Sequence, residues 1–270
     1  MDTFVLEEMG MHELSANERR SQIAQMVMEQ GKVQVCDLVD KFKVTETSIR
    51  RDLTLLEENK RLQRVHGGAI PIPGNFRTDS FAEKEKLHIQ SKERIAKVAA
   101  GMVKQGDIIL LDSGTTTLQI IRNMPVALQY NNLVTLVTNS TPVAHEVLGW
   151  PSPNLTILGG IYLPDYQATV GPETIMQLNG LSAEIAFLGT DGLTLEGGAT
   201  TGNVLMAEVD RIMVEHSRKA VLVTDSSKIG RAGFSPVKPI SSYDILITDI
   251  NAPSDFVEAV REMGVEVILA

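Results

Sequence analysis

The sequence has a single cysteine, Cys36, no repeat of fixed period and no low-complexity tract. No apolar run approaches the ~18 residues of a membrane span. One thiol excludes an intramolecular disulfide framework and suits a reducing cytosol. The opening Met1-Asp2-Thr3-Phe4-Val5-Leu6-Glu7-Glu8 lacks the basic start of a signal peptide, so a cytoplasmic protein is expected. Metal-ligand clusters are missing too: the histidines are scattered at 12, 66, 88, 145 and 216, without paired spacing. Neither a metal nor a cofactor is expected. Cys36 lies between apolar positions of a short helical pattern and is expected to be a small core residue.

The 270 residues are 43% hydrophobic and 22% charged, a soluble globular composition long enough for two domains. The net charge of −9 is unevenly spread. Residues 16–72 carry 10 Lys and Arg against 8 Asp and Glu, whereas 79–270 carry 14 against 22. A near-neutral to basic head on an acidic body fits a DNA reader joined to a metabolite sensor, although acidic bodies are common.

Residues 1–14 form a leader without periodicity. Ser15 followed by Glu18 is a capping-box pattern, and Ile23, Met26 and Val27 give the helix that follows an apolar stripe ending at Gly31. Val35, Leu38, Val39 and Phe42 mark a second, short helix. After a tight turn, Thr45 can cap a third helix with Ile49, Leu53 and Leu56 on its inner face. Residues 60–70 read as two extended runs around a glycine-containing tip, a β-wing. A linker at 71–75 closes a domain expected to span 15–73. Within 74–270, a charged helical stretch (about 81–103) precedes apolar runs at 108–111, 133–137, 155–158, 185–188, 220–223, 245–247 and 265–269. These alternate with helical segments, so the fold class is α/β with a largely parallel sheet.

At about 100° per residue, the face of the third helix opposite Ile49, Leu53 and Leu56 carries Thr47, Arg51 and Thr54, flanked by Ser48 and Arg50. Arginines and short hydroxyls are the side chains that bond guanine edges and phosphates in the major groove. The alternative is a solvated face with an ordinary charge mix; the neighbouring helix, the tight turn and the basic wing favour DNA. Val44-Thr45-Glu46-Thr47-Ser48-Ile49-Arg50-Arg51-Asp52-Leu53, followed by Arg64-Val65-His66-Gly67-Gly68-Ala69, resembles the DeoR family of bacterial sugar-responsive regulators. That resemblance implies a helix-turn-helix at 33–52, with Arg64 and His66 in the wing. His66 can equally be a plain turn residue before two glycines.

In the second domain the apolar runs end in small polar residues, and in a parallel sheet such ends gather along one edge, where ligands bind. The best anion cradle is Asp112-Ser113-Gly114-Thr115-Thr116-Thr117, with amides and hydroxyls at a helix start. Lys228 can neutralise a phosphate, while Asp191 and Asp112 can accept sugar hydroxyls. The plain alternative is that such residues cap the next helix; clustering favours a ligand site. These segments, together with Thr169-Val170-Gly171-Pro172, Gly189-Thr190-Asp191-Gly192 and Asp225-Ser226-Ser227-Lys228-Ile229-Gly230, also look like the DeoR sensor domain. The resemblance implies a Rossmann-like fold similar to ribose-5-phosphate isomerase and a phosphosugar effector. The expected function is therefore a transcription regulator, usually a repressor, binding operator DNA as a homo-oligomer. The rival reading is a sugar-phosphate isomerase or deaminase using Asp191 and Lys228 as acid and base. Against it, no second positioned carboxylate has a role.

Overall fold

The computed structural model describes residues 15–30, 32–59, 61–70 and 80–270. The expected leader at 1–14, Gly31, Lys60 and the linker at 71–75 lie outside them. The chain divides into two compact units between Arg77 and Thr78.

In the first unit Ser15 and Glu18 cap α1 (Ala16–Gln30) reciprocally. The Glu18 amide donates to the Ser15 hydroxyl at 3.3 Å, and the Ser15 amide to the Glu18 carboxylate at 2.9 Å. A two-residue strand, β1 (Val33–Gln34), precedes α2 (Val35–Phe42), which closes on Lys43 in the left-handed conformation. Thr45 caps α3 (Glu46–Glu58) by accepting the Ser48 amide at 3.3 Å. Ile23, Val27, Leu38, Ile49, Leu53, Leu56 and Leu62 share one core. β2 (Gln63–Val65) and β3 (Gly68–Ile70) pair antiparallel around His66-Gly67, and β3 also pairs with β1. The wing thus has three strands; β1 is too short to show alternation in sequence.

The two wing glycines have different causes. Gly67 adopts φ 78°, open to glycine without cost, whereas a Cβ on Gly68 would sit 2.0 Å from the Val33 carbonyl oxygen. Cys36 corrects the sequence reading. It is exposed, with its thiol 3.6 Å from the Asp37 carboxylate, because one step beyond Val35 leaves the Val35–Leu38 face.

The second unit opens with another correction. The charged stretch forms two helices, α4 (Phe81–Lys86) and α5 (Ile89–Ala100), broken at His88 with φ 51°. A continuous helix would pair the Lys84 carbonyl with the His88 amide. Instead the Leu87 amide takes it at 3.2 Å and the Lys92 ammonium, from the buried face of α5, takes it as well. There follow β4 (Ile108–Leu111), α6 (Thr115–Arg122), β5 (Thr135–Thr138), α7 (Thr141–Val147), β6 (Leu155–Ile157), β7 (Ile161–Leu163), β8 (Ala168–Val170) and α8 (Pro172–Asn179). The chain continues through β9 (Ile185–Leu188), β10 (Gly192–Thr194), β11 (Gly198–Thr201), α9 (Val204–Glu215), β12 (Ala220–Val223) and β13 (Ser235–Lys238). It ends with β14 (Ile245–Thr248), α10 (Ser254–Glu262) and β15 (Glu266–Leu269).

All seven expected apolar runs become parallel strands of one sheet, in the order β15-β14-β12-β9-β4-β5-β6. Three keep their expected ends and four shift by one or two residues; the run at 133–137, for example, pairs as Thr135–Thr138. Alternate side chains face opposite cores. Ile109 and Leu111 pack with α5, α6 and α7, whereas Leu110 packs on the side of α8, α9 and α10. The β7–β8 hairpin and the β10-β11-β13 sheet are additions to the expected pattern. No described helix is long and apolar enough to cross a membrane.

The strand order sets the site. The chain runs from β4 outward through β5 to β6, then returns to β9 on the other flank of β4. β4 and β9 therefore bound the point where the winding reverses, and the crevice beyond their carboxyl ends is the natural ligand position.

Candidate DNA-reading surface and anion site

On α3, Thr47, Arg50 and Arg51 are exposed and Ile49, Leu53 and Leu56 buried, as the periodicity requires. Arg50 pairs with Glu46 one turn earlier (2.5 Å), a surface pair with both side chains more than half exposed and so cheap to open. Thr45 and Ser48 share a hydroxyl bond of 2.9 Å at the helix start. Thr54 is less free than its face suggests. Its hydroxyl donates to the Arg50 carbonyl (2.9 Å) and accepts from the Arg64 guanidinium (2.7 Å), which fixes the wing arginine against α3. His66 stands exposed at the wing tip. Asp52 points inward instead, 3% exposed, and accepts the Arg19 guanidinium at 2.7 Å, binding α3 to α1.

In the second unit, Asp112 closes the crevice floor. Its carboxylate accepts the amides of Gly114 (2.8 Å) and Gly189 (2.5 Å) and the Thr117 hydroxyl (2.5 Å), tying the loop after β4 to the loop after β9. Burial pushes its pKa up, partly opposed by those hydrogen bonds. Asp112 and Thr117, whose hydroxyl also bonds the Gly114 carbonyl at 2.7 Å, are thus loop fasteners. Gly114 is extended, not left-handed; it is glycine because a Cβ would meet the Thr117 hydroxyl at 2.9 Å. The hydroxyls of Ser113, Thr115 and Thr116 make no hydrogen bond to the described residues, and the first-turn amides of α6 donate to no backbone carbonyl. All three side chains are less than a tenth exposed, so the helix start presents donors in a poorly solvated place.

Three lysines face this edge. Lys228 ends the short helical turn after β12, half-buried, and its ammonium forms no hydrogen bond or ion pair among the described residues. Burial, then the Lys84 charge, hold its pKa below the usual lysine range, with Asp191 and Asp225 opposing. Lys84, on α4, pairs with Asp191 at 2.5 Å and lies 5.3 Å from the centre of the Tyr166 ring. Lys92 is 4% exposed, and burial, reinforced by Lys228 and Lys84 against Asp225, lowers its pKa to about 8. Asp191 shows the converse. Burial alone would raise its pKa, but Lys84, Lys228 and a Gly202 amide bond of 3.0 Å outweigh that and bring it to about 2. Its second oxygen also accepts the Thr201 hydroxyl at 3.1 Å. Behind the site, Asp210 on α9 keeps one carboxyl oxygen unpartnered. Burial, then the charges of Asp112 and Asp191, lift its pKa well above the ordinary range.

The sequence pattern puts Asp112, Ser113, Gly114, Thr115, Thr116, Thr117, Asp191 and Lys228 at one edge, and the fold brings their strand ends together, with Asp112, Gly114 and Thr117 spent on the loop itself. It missed Lys84 and Lys92. Lys92 had a signal, a lysine in register with the apolar Ile95, Ala96 and Ala99; Lys84 had none.

The profile of the DeoR-like helix-turn-helix domain matches residues 19–72, and that of the DeoR C terminal sensor domain matches 87–250. The chain is 34% identical over 255 residues to a protein of Escherichia coli O157:H7 named, provisionally, for repression of the aga operon, covering 94% of this chain and 93% of that one. It is 32% identical to the transcriptional regulator GlpR of Haloferax volcanii (93% and 96% covered) and 27% identical to the glycerol-3-phosphate regulon repressor of Escherichia coli K12 (95% and 100% covered). Among solved structures, ribose 5-phosphate isomerase A of Methanocaldococcus jannaschii overlays 51% of this chain and 53% of its own at 21% identity and a TM-score of 0.38. The sorbitol operon regulator SorC of Klebsiella pneumoniae overlays 92% and 99% at 11% identity and 0.41. A helix-turn-helix reader followed by a small-molecule sensor is the class of a ligand-responsive transcription regulator. The chain belongs to the DeoR family of DNA-binding transcription regulators.

Proposed function

We propose that the protein represses a sugar-metabolism operon in the cytoplasm and that a phosphorylated sugar, bound beyond β4 and β9, changes its hold on operator DNA. The observation that carries this reading is the unpartnered Lys228 ammonium at the same strand-end edge as the open first turn of α6. Amides at a helix start, two or three hydroxyls and a cation suit a phosphate dianion. Ser113, Thr115 and Thr116 take the phosphate, and Lys228 neutralises it. Asp112, Gly114 and Thr117 shape the loop. On the DNA side, Thr47, Ser48, Arg50 and Arg51 reach base edges or phosphates, while Arg64 and His66 contact the backbone beside the groove, with Thr45 setting the helix start. One such head offers few base contacts, so a homo-oligomer reading half-sites a whole number of ~10–10.5 bp turns apart is expected.

A sugar-phosphate isomerase would need Asp191 or Lys228 to move protons. Asp191 is held ionised at about 2 with both oxygens occupied, which removes it as an acid near neutrality. Calorimetry of the full chain with pentose 5-phosphates, hexose 6-phosphates and the matching free sugars tests the reading. A phosphorylated sugar should bind, without turnover, far more tightly than its free form, and Lys228→Met should weaken it by about ten-fold or more. Equal affinity for the two forms removes the phosphate site, and turnover makes the protein an enzyme.

A further inference from the structure

The Lys84–Asp191 pair joins residues 107 positions apart, and Lys84 lies in neither segment matched by the two family profiles. It belongs to α4, the first described element after the DNA-binding unit and the stretch that leads out of it. Lys84 is tied at both ends: its ammonium bonds Asp191 beside the Tyr166 ring, and its carbonyl accepts the Lys92 ammonium. Elsewhere α4 is lightly held. Its one buried side chain is Phe81, whose amide bonds the Asp165 carbonyl at 2.8 Å, and Glu85 makes a part-exposed pair with Arg122 at 2.8 Å.

We infer that Lys84 is a contact residue of the anion site and the one through which occupancy is passed to α4. This rests on the phosphosugar reading above. Three features support it. Lys84 bonds Asp191 directly, and the Lys228 charge acts on both Asp191 and Lys84, so the three groups form one cluster. The Lys84 side chain is 18% exposed, within reach of an entering ligand, and uses one of its three ammonium donors on Asp191. Asp191, finally, holds the Thr201 and Gly202 bonds on its other oxygen, and the Lys84 ammonium has two further donors, so a phosphate can share Lys84 without taking it from Asp191. A bound phosphate bridges Lys228 and Lys84 and fastens α4 to the sheet edge. An empty site leaves α4 on the Lys84–Asp191 and Glu85–Arg122 pairs, the Lys92 bond and the Phe81 anchor.

The test is hydrogen exchange on the full chain, titrated with inorganic phosphate, reading amides 81–87. Phosphate should slow their exchange in the unaltered protein. In Lys84→Met it should still bind, about ten-fold more weakly, and leave those amides unprotected. Lys86→Met, which removes an exposed charge from the same helix, should behave like the unaltered protein. Phosphate binding without protection of α4, or equal protection in Lys84→Met, overturns the inference and leaves the site reading standing. No phosphate binding at all, in calorimetry on the same samples, overturns both.

Discussion

The two units handle charge in opposite ways. In the first, Arg50 and Arg51 lie in water, and the buried Arg19–Asp52 pair is structural. In the second, lysines and aspartates are withdrawn from water, and their pKa values shift accordingly. On the proposed function, the difference follows from the ligand. A DNA duplex is a large surface that brings many phosphates to an exposed cation row. A single small anion must be gripped where the dielectric is low and each charge counts for more. Exposed charge gives reach, and buried charge gives sensitivity to occupancy and to pH.

The sharpest way to break this comparison is to remove the exposed row. Arg50→Ala with Arg51→Ala should abolish specific operator binding in a gel-shift titration, with ~1–3 kcal/mol attached to each base that an arginine reads. Thermal stability should barely change. Full operator affinity in a folded double variant contradicts the α3 assignment. Next in size is the exception within the head. Asp52→Ala leaves Arg19 unpaired and should cost about 3 kcal/mol in a denaturant titration; a loss as small as that of a surface pair would place Asp52 outside the core.

Buried lysines make a pH prediction. Lys92 has a folded pKa of about 8, below the usual lysine value, so it loses its charge as pH rises through that value. A phosphate ester is already a dianion there. Phosphosugar affinity should therefore fall above pH 8, by at most about ten-fold per unit, and bound ligand should raise the Lys92 pKa. Lys92→Met should flatten that part of the profile, whereas an unchanged profile removes Lys92 from the site. A second pH prediction concerns Asp210. Its folded pKa is raised, so its contribution is complete below the normal carboxyl range and is lost as pH climbs through the folded value. Asp210→Asn should reduce the fall in stability with pH, so denaturant titrations should show it more stabilising near neutrality than in acid, and an equal effect at both would contradict the raised pKa.

The same contrast governs what could be read from the sequence. Arg50, Arg51 and the inward Ile49, Leu53 and Leu56 lie on one helix, where a period of about 3.6 residues carries the information. That Ser113–Thr117, Asp191 and Lys228 share an edge was legible for another reason: strand ends in a wound parallel sheet gather along one side. Lys84 was not, because its meaning comes from Asp191, 107 residues away. The Arg19–Asp52 pair, 33 residues apart, was hidden likewise. The break at His88 was missed because residues 81–103 keep helical composition throughout. At the end of α4 the Lys84 carbonyl is taken by the Leu87 amide and by the Lys92 side chain, which lies eight residues on. Strands β1, β7 and β8 have two or three residues each, below the length at which alternation can be told from chance.

The central claim is that one phosphosugar site and one DNA surface share a coupling free energy, and linkage makes that measurable from both sides. Operator affinity should be titrated with and without saturating phosphosugar, and phosphosugar affinity with and without saturating operator. The account predicts the same factor in both titrations, within the roughly 5–150-fold range of ordinary allosteric coupling, and a factor near one in Lys228→Met. Operator affinity indifferent to a sugar phosphate that demonstrably binds the unaltered protein would contradict it.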